Sequence, residues 1–245
     1  MDLSQLTTIL ICIALIAVLY SCVGHGGASG YIAVMTLFGL APIIIKPTAL
    51  VLNILVSGIA AIQFYRAGYF RWSLFWRFAL TSIPCAYIGG YFVLPMYFYK
   101  YIIVLVLWFS AVRLFIRPVT PASSIRVLPL PLTLTIGAIL GLLSGFIGVG
   151  GGIFLSPLLL LAGWAGNRET AAVSAFFVLV NSCAGLLGFI NGNHTFPSQA
   201  LTFSLAAVCG GIIGSYLGSR KLQMLSVQRV LSMILILAGY KIIFS

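Results

Sequence analysis

The sequence predicts an all-α, polytopic membrane protein built from two inverted helical repeats. Three observations predict this class: the composition, the length of the apolar runs, and an internal duplication. Hydrophobic residues make up 62% of the 245 residues and charged residues 6%, with a mean hydropathy of +1.18. Because soluble domains have about a quarter of their residues charged, this surface has to face lipid. The runs are continuous over about 17–22 residues, which indicates membrane helices and not alternating strands.

Ten apolar segments follow one another along the chain. The first five lie at about 5–23, 28–45, 48–65, 73–94 and 100–116, and the second five at about 130–147, 151–164, 169–190, 197–218 and 226–244. We therefore divide the chain into a first transmembrane repeat at 1–117, a proline-containing linker at 118–129 and a second repeat at 130–245. Eight to ten of these segments are expected to cross the membrane, broken by glycines or folded as re-entrant hairpins.

Corresponding motifs recur in the two halves at an offset of 122 to 128 residues, which indicates duplication of one unit. Residues 24–28 align with 148–152, and residues 88–91 align with 213–216. Lys46 aligns with Arg168, and we expect both side chains to extend to the membrane interface.

The basic residues predict opposite orientations for the two repeats. If all ten segments cross, the basic residues divide ten against three, whereas eight crossings give seven against six. Cytoplasmic loops carry the excess of Lys and Arg, so we favour ten crossings in a bacterial inner membrane, with both termini outside and a cytoplasmic linker. An odd number of crossings per repeat inverts the second copy relative to the first. The number stays odd if the first two segments of each repeat form a re-entrant hairpin instead of crossing.

The charge and cysteine patterns exclude several classes of partner. The net charge is +11, but the basic residues stand singly at the ends of apolar runs, which argues against a nucleic-acid partner. The five cysteines lie within apolar runs without a CxxC pair, so we expect no disulfide, metal site or cofactor. Asp2 and Glu169 are the only acidic residues, so a carboxylate proton relay or sodium site within the membrane is not expected.

Two glycine-rich runs, at 22–30 and 144–152, interrupt apolar segments at corresponding places in the two repeats. Glycine favours positive φ and breaks helices, and irregular backbone inside a membrane has to be buried in protein or line a cavity. The freed N–H groups at a helix start carry a partial positive charge that suits an anion. Paired breaks of this kind indicate a substrate site, although glycine also allows helices to pack closely.

We predict that the substrate-binding residues lie in these runs and on the polar faces of the segments that follow. They are Gly24, His25, Gly26, Gly27, Ser29, Asn53, Ser57, Gly148, Gly150, Gly151, Gly152, Ser156, Thr170, Ser174 and Asn181. The Asn, Ser and Thr side chains could donate hydrogen bonds to an oxyanion or join neighbouring helices. His25 is the candidate for proton coupling, whereas His194 is expected in a solvated loop.

Two other functions fit parts of the pattern. A passive anion channel would share the composition. Residues 27–30 match the GxSG string of intramembrane serine proteases, but that mechanism needs a histidine on a second helix facing Ser29. His25 is too close in sequence and His194 falls in a loop, so we expect no enzymatic activity.

The glycine runs resemble those of the TauE/SafE sulfite exporter family, also called TSUP permeases. The resemblance rests on residues 148–152 followed by Pro157, on 170–174, on the degenerate copy at 24–27 and on the basic loop 65–72, and it spans about 10–244. It implies a multi-pass carrier of sulfite-type anions, sulfonates or related organic anions. We therefore expect alternating access around a midplane anion site in a lipid bilayer, and a homodimer stays open.

Overall fold

The computed structural model describes residues 3–93, 129–192 and 196–220, with isolated positions between 95 and 112 and between 233 and 240. Most residues of the predicted fifth segment of each repeat, nearly all of the linker 118–129, and His194 lie outside the described residues. The helices within the described ranges are α1 (Leu3–Cys22), α2 (Ala28–Leu37), α3 (Pro42–Arg66), α4 (Trp72–Tyr91), α5 (Leu130–Ile147), α6 (Gly152–Leu161), α7 (Asn167–Asn191) and α8 (Gln199–Arg220).

Five of these helices, α1, α3, α5, α7 and α8, are long and apolar enough to cross a membrane. With helices throughout the described ranges, the all-α, polytopic class is confirmed. α2 and α6 have ten residues each, which corresponds to about 15 Å, or half of the hydrocarbon core. α3 begins at Pro42, earlier than the predicted start at 48, because Pro42 takes the first helical turn and the helix continues through Pro47.

Helix lengths and packing partners repeat between the two halves. α1 to α4 have 20, 10, 25 and 20 residues, and α5 to α8 have 18, 10, 25 and 22. α8 packs between α1 and α3, and α4 packs between α5 and α7. The fourth helix of each half therefore lies between the first and third helices of the other half.

α3 and α7 cross at the centre of the bundle and run antiparallel. Asn53 contacts Ser182, Leu50 lies beside Gly185, and the end of α3 around Phe64 clusters with Ala171 near the start of α7. Residue numbers thus rise along α3 as they fall along α7. Both helices have 25 residues, so the twelfth residue of each, Asn53 in α3 and Val178 in α7, lies near the midpoint.

Each glycine run returns the chain across the bundle. Gly24 follows α1 and lies against Ala171 in the first turns of α7, whereas α3 begins at the opposite end of the antiparallel pair. Likewise, Gly148 lies against Lys46 near the start of α3, while α7 begins at the other end. The second segment of each repeat therefore passes across the bundle as non-helical glycine-rich backbone followed by a half-length helix.

Two glycine ladders hold the outer helix pairs together. A methyl group on any of these glycines would overlap backbone of the facing helix, so the two backbones are in direct contact. Gly210, Gly214 and Gly218 of α8 face carbonyl groups of α1, and Gly137, Gly141 and Gly145 of α5 face carbonyl groups of α4.

Candidate functional site

The two short helices begin at glycines in the left-handed conformation. Gly27 caps α2 with φ of 96°, and Gly151 caps α6 with φ of 80°. L-residues with a side chain rarely adopt such φ values, which explains glycine at both positions. Neither N-cap glycine has a side chain that could accept a hydrogen bond. The first N–H groups of each helix therefore need an acceptor from elsewhere in the bundle.

The two breaks meet at the midpoint of the α3–α7 crossing. Gly26 of the first break and Gly150 of the second each pack against both Asn53 and Val178. A Cβ at Gly150 would lie 2.9 Å from Nδ2 of Asn53, and one at Gly26 would overlap the Asn53 amide. These glycines are therefore required by the close approach of backbone to the two central side chains.

His25 connects the first break to the second. Its Nε2 lies 3.2 Å from the carbonyl oxygen of Gly152 and 2.9 Å from Oγ of Ser156. The tautomer with its proton on Nε2 donates to the Gly152 carbonyl, and the other tautomer accepts at Nε2 from the Ser156 hydroxyl. Ser156 in turn lies 2.7 Å from Oγ of Ser174, which extends the polar chain onto α7. Nδ1 of His25 is buried without a partner in the described structure.

The two asparagines have different surroundings. Oδ1 of Asn53 accepts a hydrogen bond from the backbone N–H of Ala28, the first residue of α2, at 3.0 Å. Its Nδ2 donates to Oγ of Ser182 at 3.4 Å. Oδ1 of Asn181 accepts from Oγ of Ser82, and its Nδ2 is buried with no partner in the described part of the chain.

Every predicted site residue is buried, but not all of them lie at the centre. The residues around the crossing are His25, Gly26, Gly27, Asn53, Gly150, Gly151, Gly152, Ser156, Ser174 and Asn181. Gly24 and Thr170 lie towards the start of α7, and Gly148 lies towards the start of α3. All three are therefore away from the midpoint of the crossing. The hydroxyl of Ser57 is turned back to the Asn53 carbonyl of its own helix, so it is not free for a ligand.

Sequence reasoning missed three residues around the breaks. Ser82 of α4 bonds Asn181, while Tyr20 stands four residues before Gly24 and Ser144 stands four residues before Gly148. This equal spacing was the available signal for Tyr20 and Ser144. Ser82 carried no signal, since one serine among small residues on an apolar helix has many possible roles.

Lys46 does not extend to the membrane interface, and that prediction was wrong. Its side chain is 1% exposed, and Nζ donates to the carbonyl oxygens of Gly89, Gly90 and Phe92 at 3.1, 2.9 and 2.6 Å. The ammonium group thereby satisfies carbonyls left unpaired at the end of α4. Lys46 and Ala171 are each the fifth residue of their helices, so the alignment of Lys46 with Arg168 is also wrong by three positions, close to one turn.

Arg168 and Glu169 lie at the start of α7 instead of at the breaks. Arg168 is exposed and donates to the hydroxyl of Tyr69 at 2.6 Å. Glu169 forms an ion pair with Arg71 at 3.3 Å and accepts from the backbone N–H of Gly166 at 3.0 Å. This carboxylate therefore caps the start of α7 and joins it to the start of α4.

The geometry required for the protease alternative is absent among the described residues. Oγ of Ser29 lies 2.7 Å from the hydroxyl of Tyr20, and His25 contacts Ser156 instead. His25 therefore does not face Ser29, the serine of the GxSG string, as that mechanism requires.

Sequence comparisons give a consistent set of relatives. The sulfite exporter TauE/SafE family model matches residues 9–242. A protein of Sinorhizobium fredii (strain NBRC 101917 / NGR234), named probable membrane transporter protein y4hK, is 36% identical over 233 residues, which cover 94% of each chain. Probable membrane transporter protein YunE of Bacillus subtilis (strain 168) is 27% identical over 111 residues, 45% of this chain and 40% of that protein. No solved structure matches the chain.

Proposed function

Because the chain belongs to the TauE/SafE sulfite exporter family, we propose that this membrane transporter carries small sulfur-containing oxyanions or sulfonates of the sulfite type. We also propose that it lies in a bacterial inner membrane with both termini outside, as the distribution of basic residues favours. The substrate binds at the meeting point of the two glycine breaks.

One observation carries this proposal. The helices α2 and α6 both start at the midpoint of the α3–α7 crossing, and neither N-cap residue supplies a side-chain acceptor. Helix N-termini provide N–H donors and a partial positive charge, which together suit an oxyanion. The described carboxylate, Glu169, is held at the start of α7 by Arg71, away from the centre, so it does not repel an anion there.

The architecture supports alternating access as the mechanism. α3 and α7 stand at corresponding places in the two halves and run antiparallel, as expected if the second half is inverted in the membrane. His25, Asn53 and Ser174 are at most 5% exposed, so the site is closed to water in this conformation. Rocking of the two halves about the crossing would open it to one side and then to the other.

We test the proposal with thermal unfolding of the detergent-purified protein. Sulfite, sulfate, thiosulfate, taurine, sulfoacetate, acetate and chloride are titrated separately. A ligand at about a hundred times its Kd stabilises by about 2.7 kcal/mol, so we expect a selective shift with a sulfur oxyanion or sulfonate. Asn181→Ala should reduce the shift, whereas Asn191→Ala, an exposed asparagine bonded to Tyr87, should not. If no anion shifts the transition, the proposed function is wrong.

His25 is the proposed site of proton coupling. Its ring bridges both breaks through Gly152 and Ser156, so a change in its charge would act on both halves at once. In liposomes, an imposed pH gradient should drive sulfite flux in the wild type. His25→Gln, which keeps a hydrogen-bonding side chain, should abolish the pH dependence while sulfite binding is retained. An unchanged pH dependence in this variant would exclude His25 as the coupling residue.

A further inference from the structure

We infer that the two breaks are not equivalent, and that the anion binds only at the second break, beside α6. At the first break, the side-chain amide of Asn53 already takes the place of the ligand. This inference rests on the proposed function, and it assigns the substrate to one of two similar helix starts.

The first break is occupied by side chains of the protein itself. The oxygen of the Asn53 amide accepts the N–H of Ala28, the first donor of α2, at 3.0 Å. The ring of Tyr31 lies over Gly27, with Cζ and the hydroxyl 2.7 Å from the place of a Gly27 Cβ. The hydroxyls of Tyr20 and Ser29 pair at 2.7 Å. An amide oxygen carries a partial negative charge and accepts N–H groups, so Asn53 supplies what an oxyanion would supply.

The second break has less polar residues at the corresponding positions, and the ring of Phe177 lies over Gly151, 2.9 Å from the place of a Cβ. Val178 stands where the first half has Asn53, and Leu155, the fourth residue of α6, stands where α2 has Tyr31. Ser144 stands four residues before Gly148, as Tyr20 stands four residues before Gly24. Valine offers no hydrogen-bond acceptor, so the first N–H groups of α6 have no equivalent of the Asn53 oxygen.

An unpaired hydroxyl faces the same helix start. Ser144 is fully buried, and its Oγ has no partner in the described structure. Its Cβ lies 3.5 Å from the place of a Cβ on Gly151, the residue that caps α6. Buried hydroxyls in native proteins are nearly always hydrogen-bonded, so an orphan at this point fits a group that a ligand satisfies. The Tyr31 hydroxyl at the first break is also without a partner in the described structure, so the difference between the breaks rests on Asn53, which already accepts the first N–H of α2. An oxyanion bound to the N–H groups of α6 would accept from Ser144.

The asymmetry fixes the stoichiometry and suggests a decisive exchange of side chains. We expect one anion per polypeptide. Val178→Asn should place an amide oxygen at the first N–H group of α6, as Asn53 does at α2. That oxygen should exclude the anion. Val178→Leu is the matched control, because leucine and asparagine side chains have the same number and branching of heavy atoms.

Isothermal titration of the purified full-length protein with sulfite tests this inference. Wild type should bind one sulfite, and Val178→Asn should bind about tenfold more weakly than Val178→Leu or worse, because charge-assisted hydrogen bonds are lost. Ser144→Ala should also weaken binding. It is a smaller change, so it tests the inference even if Val178→Asn does not fold. Tyr31→Phe, which alters only the first break, should stay within about threefold of wild type.

The possible results separate the inference from the proposed function. Absence of sulfite binding to wild type would overturn both. Equal affinities of Val178→Asn and Val178→Leu would overturn the inference alone, and so would two sulfites per chain. Loss of binding in Tyr31→Phe with normal binding in Ser144→Ala would place the anion at the first break.

Discussion

At the scale of single residues, Lys46 is the side chain whose removal should cost the most outside the breaks. Lys46→Met takes the donor from three backbone carbonyls at the end of α4. We expect a loss of about 1.5–3 kcal/mol in unfolding free energy, seen as a lower Tm in detergent. The control Arg168→Met removes an exposed cation and should change stability by less than about 1 kcal/mol. Equal effects of the two variants would contradict the capping role of Lys46.

Residue chemistry explains which parts of the site could be predicted. His25 and the glycines at 150–152 stood out because polar or breaking residues are costly inside apolar runs. The counterpart of Asn53 did not, because it is Val178, which looks like any other apolar residue of a membrane helix. The register of α3 against α7 was also hidden, since the predicted apolar segment began at about 48 and the helix begins at Pro42.

At the scale of elements, the glycine ladder between α8 and α1 should tolerate no side chain. Gly214→Ala places a methyl group against the carbonyl oxygen of Val18, and backbone cannot move aside cheaply. We expect a loss of about 1–3 kcal/mol in thermal unfolding. Gly58→Ala in α3 meets only the end of the Leu179 side chain at 3.8 Å, so it should be neutral or stabilising by up to about 1 kcal/mol. If both alanines are tolerated equally, the ladder does not set the packing of α1 on α8.

Helix packing partners were outside the reach of the sequence. Apolar runs predicted where helices lie, and the glycine runs predicted where they break. However, the faces of these helices are apolar all round, so periodicity does not indicate which face meets protein and which meets lipid. The position of α4 between α5 and α7 therefore required the structure.

At the scale of the whole molecule, inversion predicts that corresponding loops lie on opposite sides of the membrane. Ala67, after α3, and Ser198, before α8, are both exposed. In a variant without the five native cysteines, Ser198→Cys should react with a membrane-impermeant maleimide in intact cells. Ala67→Cys should react only after the membrane is opened, because its loop carries Arg66 and Arg71. Labelling of both from the same side would contradict the inverted arrangement.

The swapped position of the fourth helices has a consequence for biogenesis. Among the described helices, α4 packs mainly against α5 and α7 of the other half, and α1 packs mainly against α8, which lies almost two hundred residues further along the chain. During synthesis α1 and α4 are in the bilayer before α8 and α5 are made. Lipid then covers the faces of α1 and α4 that later contact the glycine ladders. Until α8 and α5 are made, α1 and α4 lack these partners. The last stage of assembly is therefore an exchange of lipid for protein along both ladders.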